Sequence, residues 1–293
     1  MSISVDPPDA TATLGNIVDL SRYPIDRPGD PRLVAVIAGS RDDLATTGCS
    51  VLAGFFAPGL SQMQREAAQL APDAYVQERY GNPYSSADDP TLPDDHPVRS
   101  KLKRTQGFVA ADRIPAGSVL KRVFHDVGFR NFVGACLGID ALYDYADPLG
   151  QLVLNVIHGA GEHPWHFDTG EFVVSSLLQA PLDGGAFEYY PNIRSPQDEN
   201  FDAVGRVIRG ESRDEVHRLS LRPGDVQLFL GRYSLHRVAP VQGAQPRLSA
   251  IFSYARQPGM LATAERTRHL FGRVTDRHLD ADNLATRSDT LRD

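Results

Sequence analysis

The stretch HPWHFDTGEF places His166 and Asp168 two residues apart, and LFLGRYSLHRVAPVQGAQPRLSAIFSY further along supplies His236, Arg247 and Ser249. Two imidazoles and one carboxylate that leave other coordination positions open make the facial ligand set of ferrous-iron centres. In a strand, residues two apart point to the same side, so His166 and Asp168 can face one metal while Phe167 packs the opposite way. His236 follows the turn RPGD and the apolar run VQLFL, where an antiparallel partner strand would return it to that pair. An HxD triplet alone carries little weight, since a strand histidine is often only a hydrogen-bonded side chain; the spaced set carries much more.

The elements that must position these residues divide by texture. Residues 1 to about 30 are rich in Pro and Asp and read as an irregular lead-in, after which LVAVIAG (33 to 39) reads as a short strand. Pro58 is placed to open a helix running to Leu70. The segment from Tyr80 to Pro97, rich in Pro and Asp, reads as a loop that covers the site. A helical pattern follows through SVLKRVFHDVGFRNFVGACLG, with Val119, Leu120, Val123, Phe124 and Val127 on one face and Gly138 as its stop. The part from 31 to about 148 is therefore expected to be mostly helical. From Gln151 the runs QLVLNVI, EFVVSSLLQA, GAFEYY, EVHRLSL, DVQLFL and RLSAIFSY alternate with Gly, Pro and Asp turns, the pattern of a β-sandwich or barrel. AERTRHLFGRV near the end predicts a helix packed on the sheet, followed by a fraying tail.

Composition narrows the function classes. The chain has 293 residues, 41% of them hydrophobic, and a formal charge of -7, which offers no basic face for nucleic acid. The first residues, MSISVDPPDATATLG, lack the basic start and apolar stretch of a signal peptide, and no run is long enough to span a bilayer. Cys49 and Cys136 lie far apart among apolar neighbours, as buried free thiols in a reducing compartment do, so the cytoplasm is the expected location.

HxD, a histidine 68 positions after that Asp, then Arg and Ser as RLS beyond it, resembles the iron(II)/2-oxoglutarate-dependent dioxygenases over roughly residues 150 to 256. WHFDTGEF, GGAFEY and SLHRVAPV look most like the bacterial small-molecule branch, whose members hydroxylate or halogenate free amino acids. The resemblance implies an α+β fold: a double-stranded β-helix (jelly roll, cupin-like) at about 149–256, a helical part at about 31–148 packed on it, and a C-terminal helix and tail at about 257–293, all in one domain. It implies that His166, Asp168 and His236 hold Fe(II), that Arg247 with Ser249 grips the distal carboxylate of 2-oxoglutarate, and that oxidation by O2 releases succinate and CO2. A planar guanidinium suits that carboxylate, and positions 247 and 249 share one strand face. Halogenases resembling this branch carry a small residue in place of the Asp; Asp168 therefore predicts hydroxylation or a related oxidation such as desaturation.

The substrate residues are thinner ground. Asn155, on the strand entering the site, is a candidate for the cosubstrate or substrate; Arg104 for a substrate carboxylate, against a solvated basic run; His163 for the pocket rim, against a turn cap; Glu188 for a pocket acid, against a solvent-facing position. HPWH suggests zinc only superficially, because both thiols are distant. His158, Trp165 and Phe167 read as structural. The expected partner is a small polar metabolite, such as a free amino acid or biosynthetic intermediate. The alternatives are a carrier-tethered or peptide substrate, or a non-catalytic jelly-roll binding protein.

Overall fold

The computed structural model describes residues 14–280 and 291–292. In chain order the helices are α1 (Pro31–Thr47), α2 (Leu60–Leu70), α3 (Val119–His125), α4 (Val127–Leu137), α5 (Phe201–Ile208), α6 (Ala264–Phe271) and α7 (Asp276–Leu279). The strands before residue 150 are β1 (Cys49–Leu52), β2 (Tyr75–Val76), β3 (Arg79–Gly81), β4 (Leu102–Arg104), β5 (Gly107–Val109) and β6 (Tyr143–Asp144). Those after it are β7 (Leu152–Ile157), β8 (His163–His166), β9 (Val173–Gln179), β10 (Asp183–Gly184), β11 (Phe187–Tyr190), β12 (His217–Leu219), β13 (Val226–Phe229), β14 (Leu235–Val238), β15 (Val241–Gln242), β16 (Arg247–Phe252) and β17 (Tyr254–Ala255). No helix among the described residues is long and apolar enough to cross a membrane.

Two antiparallel sheets dominate, one in the order β1-β13-β9-β16-β7-β5-β2 and a smaller one in the order β12-β11-β14-β8. Alternation along each strand sorts its side chains between two environments. In β7 and β16, Leu152, Leu154, Val156, Leu248, Ala250 and Phe252 face outward into the large core made with the helices. Their neighbours Asn155, Ile157, Arg247 and Ser249 point the other way. Ile157 and Phe229 of the larger sheet meet Phe187, Tyr189 and Val238 of the smaller one, so the sheets are packed face to face. On the outer side of the smaller sheet, α5 contributes Val204 and Val207 to a cluster with Trp165, Phe167 and Leu235.

Several expectations change in the structure. LVAVIAG is not a strand but lies within α1. Asp30 caps that helix by accepting from the Arg32 N–H, Pro31 occupies its first turn, and Gly48 ends it in the left-handed conformation. The apolar residues run at helical spacing: Leu33 and Leu44 are buried, Val36 and Ile37 pack beside them, and Val34 is exposed. The helix expected over 118–138 is two helices, broken at Asp126, which ends α3 and whose carboxylate accepts from Phe129 N at 2.7 Å to start α4. Val127 is thereby turned outward and exposed. The part before residue 149 is also less helical than expected, since β1, β2 and β5 extend the larger sheet. The fraying tail falls largely outside the described residues.

Candidate metal centre

The two strands that carry the ligands are adjacent, with His236 on β14 directly opposite His166 on β8. Two residues further along β14, Val238 faces His163, three residues from His166. β8 thus carries one extra residue over Pro164 and Trp165, a bulge, which suits a proline that cannot join the ladder. The bulge brings His163 to the same side as His166, and their rings stack with centroids 3.6 Å apart. Asp168 lies two residues beyond the end of β8, where its N–H donates to the Gly231 carbonyl at 3.0 Å.

The three side chains converge. His166 Nε2 is 3.8 Å from Asp168 Oδ1, and His236 Nε2 is 3.3 Å from Asp168 Oδ2. Among the described residues this is the one group of His, Cys, Asp and Glu able to hold a metal ion. Each imidazole is oriented from behind: His166 Nδ1 lies 2.8 Å from the Pro164 carbonyl and His236 Nδ1 3.0 Å from that of Ser234. A carbonyl only accepts, so each Nδ1 carries the proton and each Nε2 lone pair is free to coordinate. Burial, reinforced by the rings of His163 and His236, pushes the pKa of His166 well below its ordinary value and keeps it neutral, as a ligand must be. Burial alone would raise Asp168, but the neighbouring His236 and His166 side chains outweigh it and the carboxyl stays well below the carboxylate range. The donor set and the atom positions fit a divalent ion with an open side.

Behind Asp168 the chain is closely fitted. A side chain at Gly231 would start 1.8 Å from Asp168 Oδ2. The Arg194 guanidinium lies 3.8 Å from the centroid of the Phe167 ring, and its Nε donates to the Arg232 carbonyl at 2.6 Å. Gly231 escaped the sequence reading, because a glycine needed for space and not for a turn carries no local signal.

Arg247 and Ser249 lie on the inner face of β16, with Asn155 of β7 opposite Ser249. Arg247 is buried and donates from Nη1 to Ser249 Oγ at 2.6 Å. It makes no ion pair among the described residues, and burial alone lowers its pKa to about 10. An interior guanidinium without an acid is strongly disfavoured unless an anion joins it. Since the Ser249 oxygen accepts from Arg247, its own O–H remains free to donate to that anion. Asn155 is buried and donates to the Gly107 carbonyl at 3.4 Å.

Of the substrate candidates, His163 and Arg104 are near the centre: Arg104 is buried and its charge helps depress the pKa of His163, after burial itself. Glu188 is not brought there. It faces Arg237 across β11 and β14, while its neighbour Tyr189 faces His236, and its carboxylate accepts from Arg237 Nε at 2.7 Å on the opposite side of the sheet. Trp165 and Phe167 are core residues, as expected.

Several solved structures resemble this chain in fold. The chain is similar to a 2OG-Fe(II) oxygenase family oxidoreductase from Burkholderia pseudomallei, with 16% identity over 76% of this chain and 92% of that one, at a TM-score of 0.50. It is similar to AviO1 from Streptomyces viridochromogenes Tue57, with 15% identity over 77% and 96% of the two chains, at 0.52. The epimerase SnoN in complex with Fe3+, alpha ketoglutarate and nogalamycin RO gives 15% identity over 78% and 93%, at 0.53. The fold is that of the 2-oxoglutarate/iron(II) oxygenases, which bears out the resemblance carried by HxD, the distal histidine and RxS. More narrowly, the family described as HalD, Halogenase D, matches residues 97–271, and the chain belongs to it. No curated protein matches.

Proposed function

We propose that the protein is an iron(II)- and 2-oxoglutarate-dependent oxygenase that hydroxylates, or otherwise oxidises, a small polar metabolite such as a free amino acid, within a jelly-roll core formed by the two facing sheets. The observation that carries this reading is the convergence of His166, Asp168 and His236, with a buried, acid-free Arg247 on the inner face of β16. Ferrous iron with 2-oxoglutarate and dioxygen supplies the oxidation, and succinate and CO2 are released. The chain's own contribution is positional. The Pro164 and Ser234 carbonyls fix the imidazoles, Gly231 leaves room for the Asp168 carboxylate, and the Arg247–Ser249 pair receives the distal carboxylate of the cosubstrate, with Asn155 beside it. His163, stacked on His166, and Arg104 are the residues we assign to the substrate.

The family name refers to a halogenase, yet here a carboxylate lies within reach of both imidazoles and fills the position that a halide would need. Hydroxylation or desaturation is therefore proposed in preference to halogenation. The test is succinate formation under oxygen with a panel of amino acids. It is expected to require added iron(II) and 2-oxoglutarate, to disappear in His166→Ala, and to yield no chlorinated product in chloride buffer. Undiminished turnover in that variant would refute the ligand assignment, and a chlorinated product would refute the choice of oxidation.

A further inference from the structure

His166 and His236 sit on paired strands, and the ladder between β8 and β14 fixes where their imidazoles start. Asp168 has no such support, because β8 ends at His166 and the carboxylate follows two residues later. What holds it is a set of contacts on Phe167, Asp168 and Thr169. The Phe167 N–H donates to the Pro83 carbonyl at 2.9 Å, and the Asp168 N–H to the Gly231 carbonyl at 3.0 Å. The Phe167 ring meets the Tyr84 ring, stacked at 5.4 Å, and the Arg194 guanidinium at 3.8 Å. On the other side of the ligand, the Thr169 carbonyl accepts from Arg232 Nη1 at 3.2 Å.

The two arginines are joined. Arg194 Nε donates to the Arg232 carbonyl at 2.6 Å, and the Arg194 backbone N–H to the Tyr233 carbonyl at 3.2 Å. Gly231, which takes the Asp168 N–H, is therefore followed directly by two residues whose carbonyls are anchored to Arg194. Both arginines are interior, Arg194 being 3% and Arg232 2% exposed. Glu199 pairs with Arg194 at 2.8 Å. The backbone of Arg292 closes that pair, its N–H donating to the second Glu199 oxygen and its carbonyl accepting from Arg194 Nη1 at 3.3 Å. A buried ion pair gains little stability over apolar residues of the same volume, so its worth here lies in what it aims. Stacking on a ring while donating in the plane to a carbonyl needs the flat fork of arginine, which an ammonium cannot supply.

Resting on the metal-centre reading above, we propose that Arg194 and Arg232 are positioning residues for the third ligand: they brace Phe167 and Thr169 on either side of Asp168, and so hold its carboxylate to the metal in place of the strand that ends at His166.

The apo-protein is titrated with cobalt(II), whose ligand-field absorption reports its coordination, in wild type, Arg194→Lys, Arg232→Lys and Asp168→Ala, and in Asp168→Ala combined with each lysine variant. Arg194→Lys keeps a cation beside Glu199 but loses the planar face and the bond to the Arg232 carbonyl. Each lysine variant is expected to bind cobalt(II) roughly tenfold more weakly, with an altered absorption spectrum, as loss of a ligand's orienting partner does. In the Asp168→Ala background the same changes are expected to alter the affinity by less than about twofold, because the brace then has nothing to hold. Should Arg194→Lys not fold, Arg194→Met with Glu199→Gln, which removes both charges, carries the same comparison. Wild-type affinity in both lysine variants, or an equal loss in both backgrounds, as a purely structural role would give, overturns the brace. Asp168→Ala is itself expected to weaken cobalt(II) by at least about tenfold. If it does not, the ligand assignment falls and the brace with it, whereas a weakened Asp168→Ala beside undiminished lysine variants overturns the brace alone.

Discussion

Replacing Gly231 by alanine tests the metal centre without touching a ligand. The new methyl carbon would start 1.8 Å from Asp168 Oδ2 and 2.7 Å from its Cγ. Ordinary contact requires about 3.4 Å or more, so the carboxylate must retreat by about 1.6 Å. The backbone cannot yield instead, because Asp168 N–H is bonded to the Gly231 carbonyl at 3.0 Å and Leu230 N–H to that of Gly48 at 2.8 Å. Metal–ligand distances tolerate only about 0.2 Å, so Asp168 leaves the ligand set. Disturbing a residue that merely orients a ligand costs roughly 10- to 100-fold in metal affinity, and displacing the ligand itself is at the upper end or beyond. We expect the Gly231→Ala protein to bind iron(II) about 100-fold more weakly, a loss of about 2.7 kcal/mol, in an anaerobic competition titration against a chelator. Its circular dichroism and the midpoint of apo-protein unfolding should stay close to wild type. Iron affinity within about threefold of wild type would show that Asp168 is not held against a metal from this side.

Two further outcomes follow from the packing. The His278 imidazole lies 3.0 Å from Asp147 Oδ2 with both side chains fully buried, so His278→Ala leaves a buried carboxylate short of its partner; the urea midpoint is expected to fall by the equivalent of roughly 3 kcal/mol with an unchanged slope, and a change under about 1 kcal/mol would count against a structural pair. Burial pushes the Cys49 and Cys136 thiols up to about 12, so above pH 9 the unfolded chain releases protons that the folded chain keeps. Stability contributed by these thiols is complete below pH 9 and declines from there towards pH 12, by up to about 1.4 kcal/mol per pH unit for each; a Cys49→Ala, Cys136→Ala protein whose alkaline unfolding curve has the wild-type steepness would refute this.

The meeting of His166, Asp168 and His236 was legible because two chemical periodicities coincide: HxD spans two residues, the repeat of a strand, and RLS repeats it around Arg247 and Ser249. The runs QLVLNVI, EFVVSSLLQA and RLSAIFSY gave three neighbouring strands of the larger sheet for the same reason. What misled was LVAVIAG, whose β-branched residues read locally as strand although the Asp30–Pro31 start and Gly48 stop mark a helix. The bulge in β8 was invisible, since an extra residue declares itself only against a partner strand, and so the stacking of His163 on His166 could not be read. Glu188 was misplaced by chemistry overriding position: strand alternation alone put it on the face opposite Tyr189.

Asp147 fastens more than one residue. Its carboxylate accepts from Leu149 N and Gly150 N, which lead into β7, and also from Ala262 N and, through His278, from the far side of α6. The excursion that bears Arg266 and His269 is thus buttoned at both ends to a single point outside the sheets. Such an excursion can be recut in sequence while the strands that carry His166, His236 and Arg247 keep their registration.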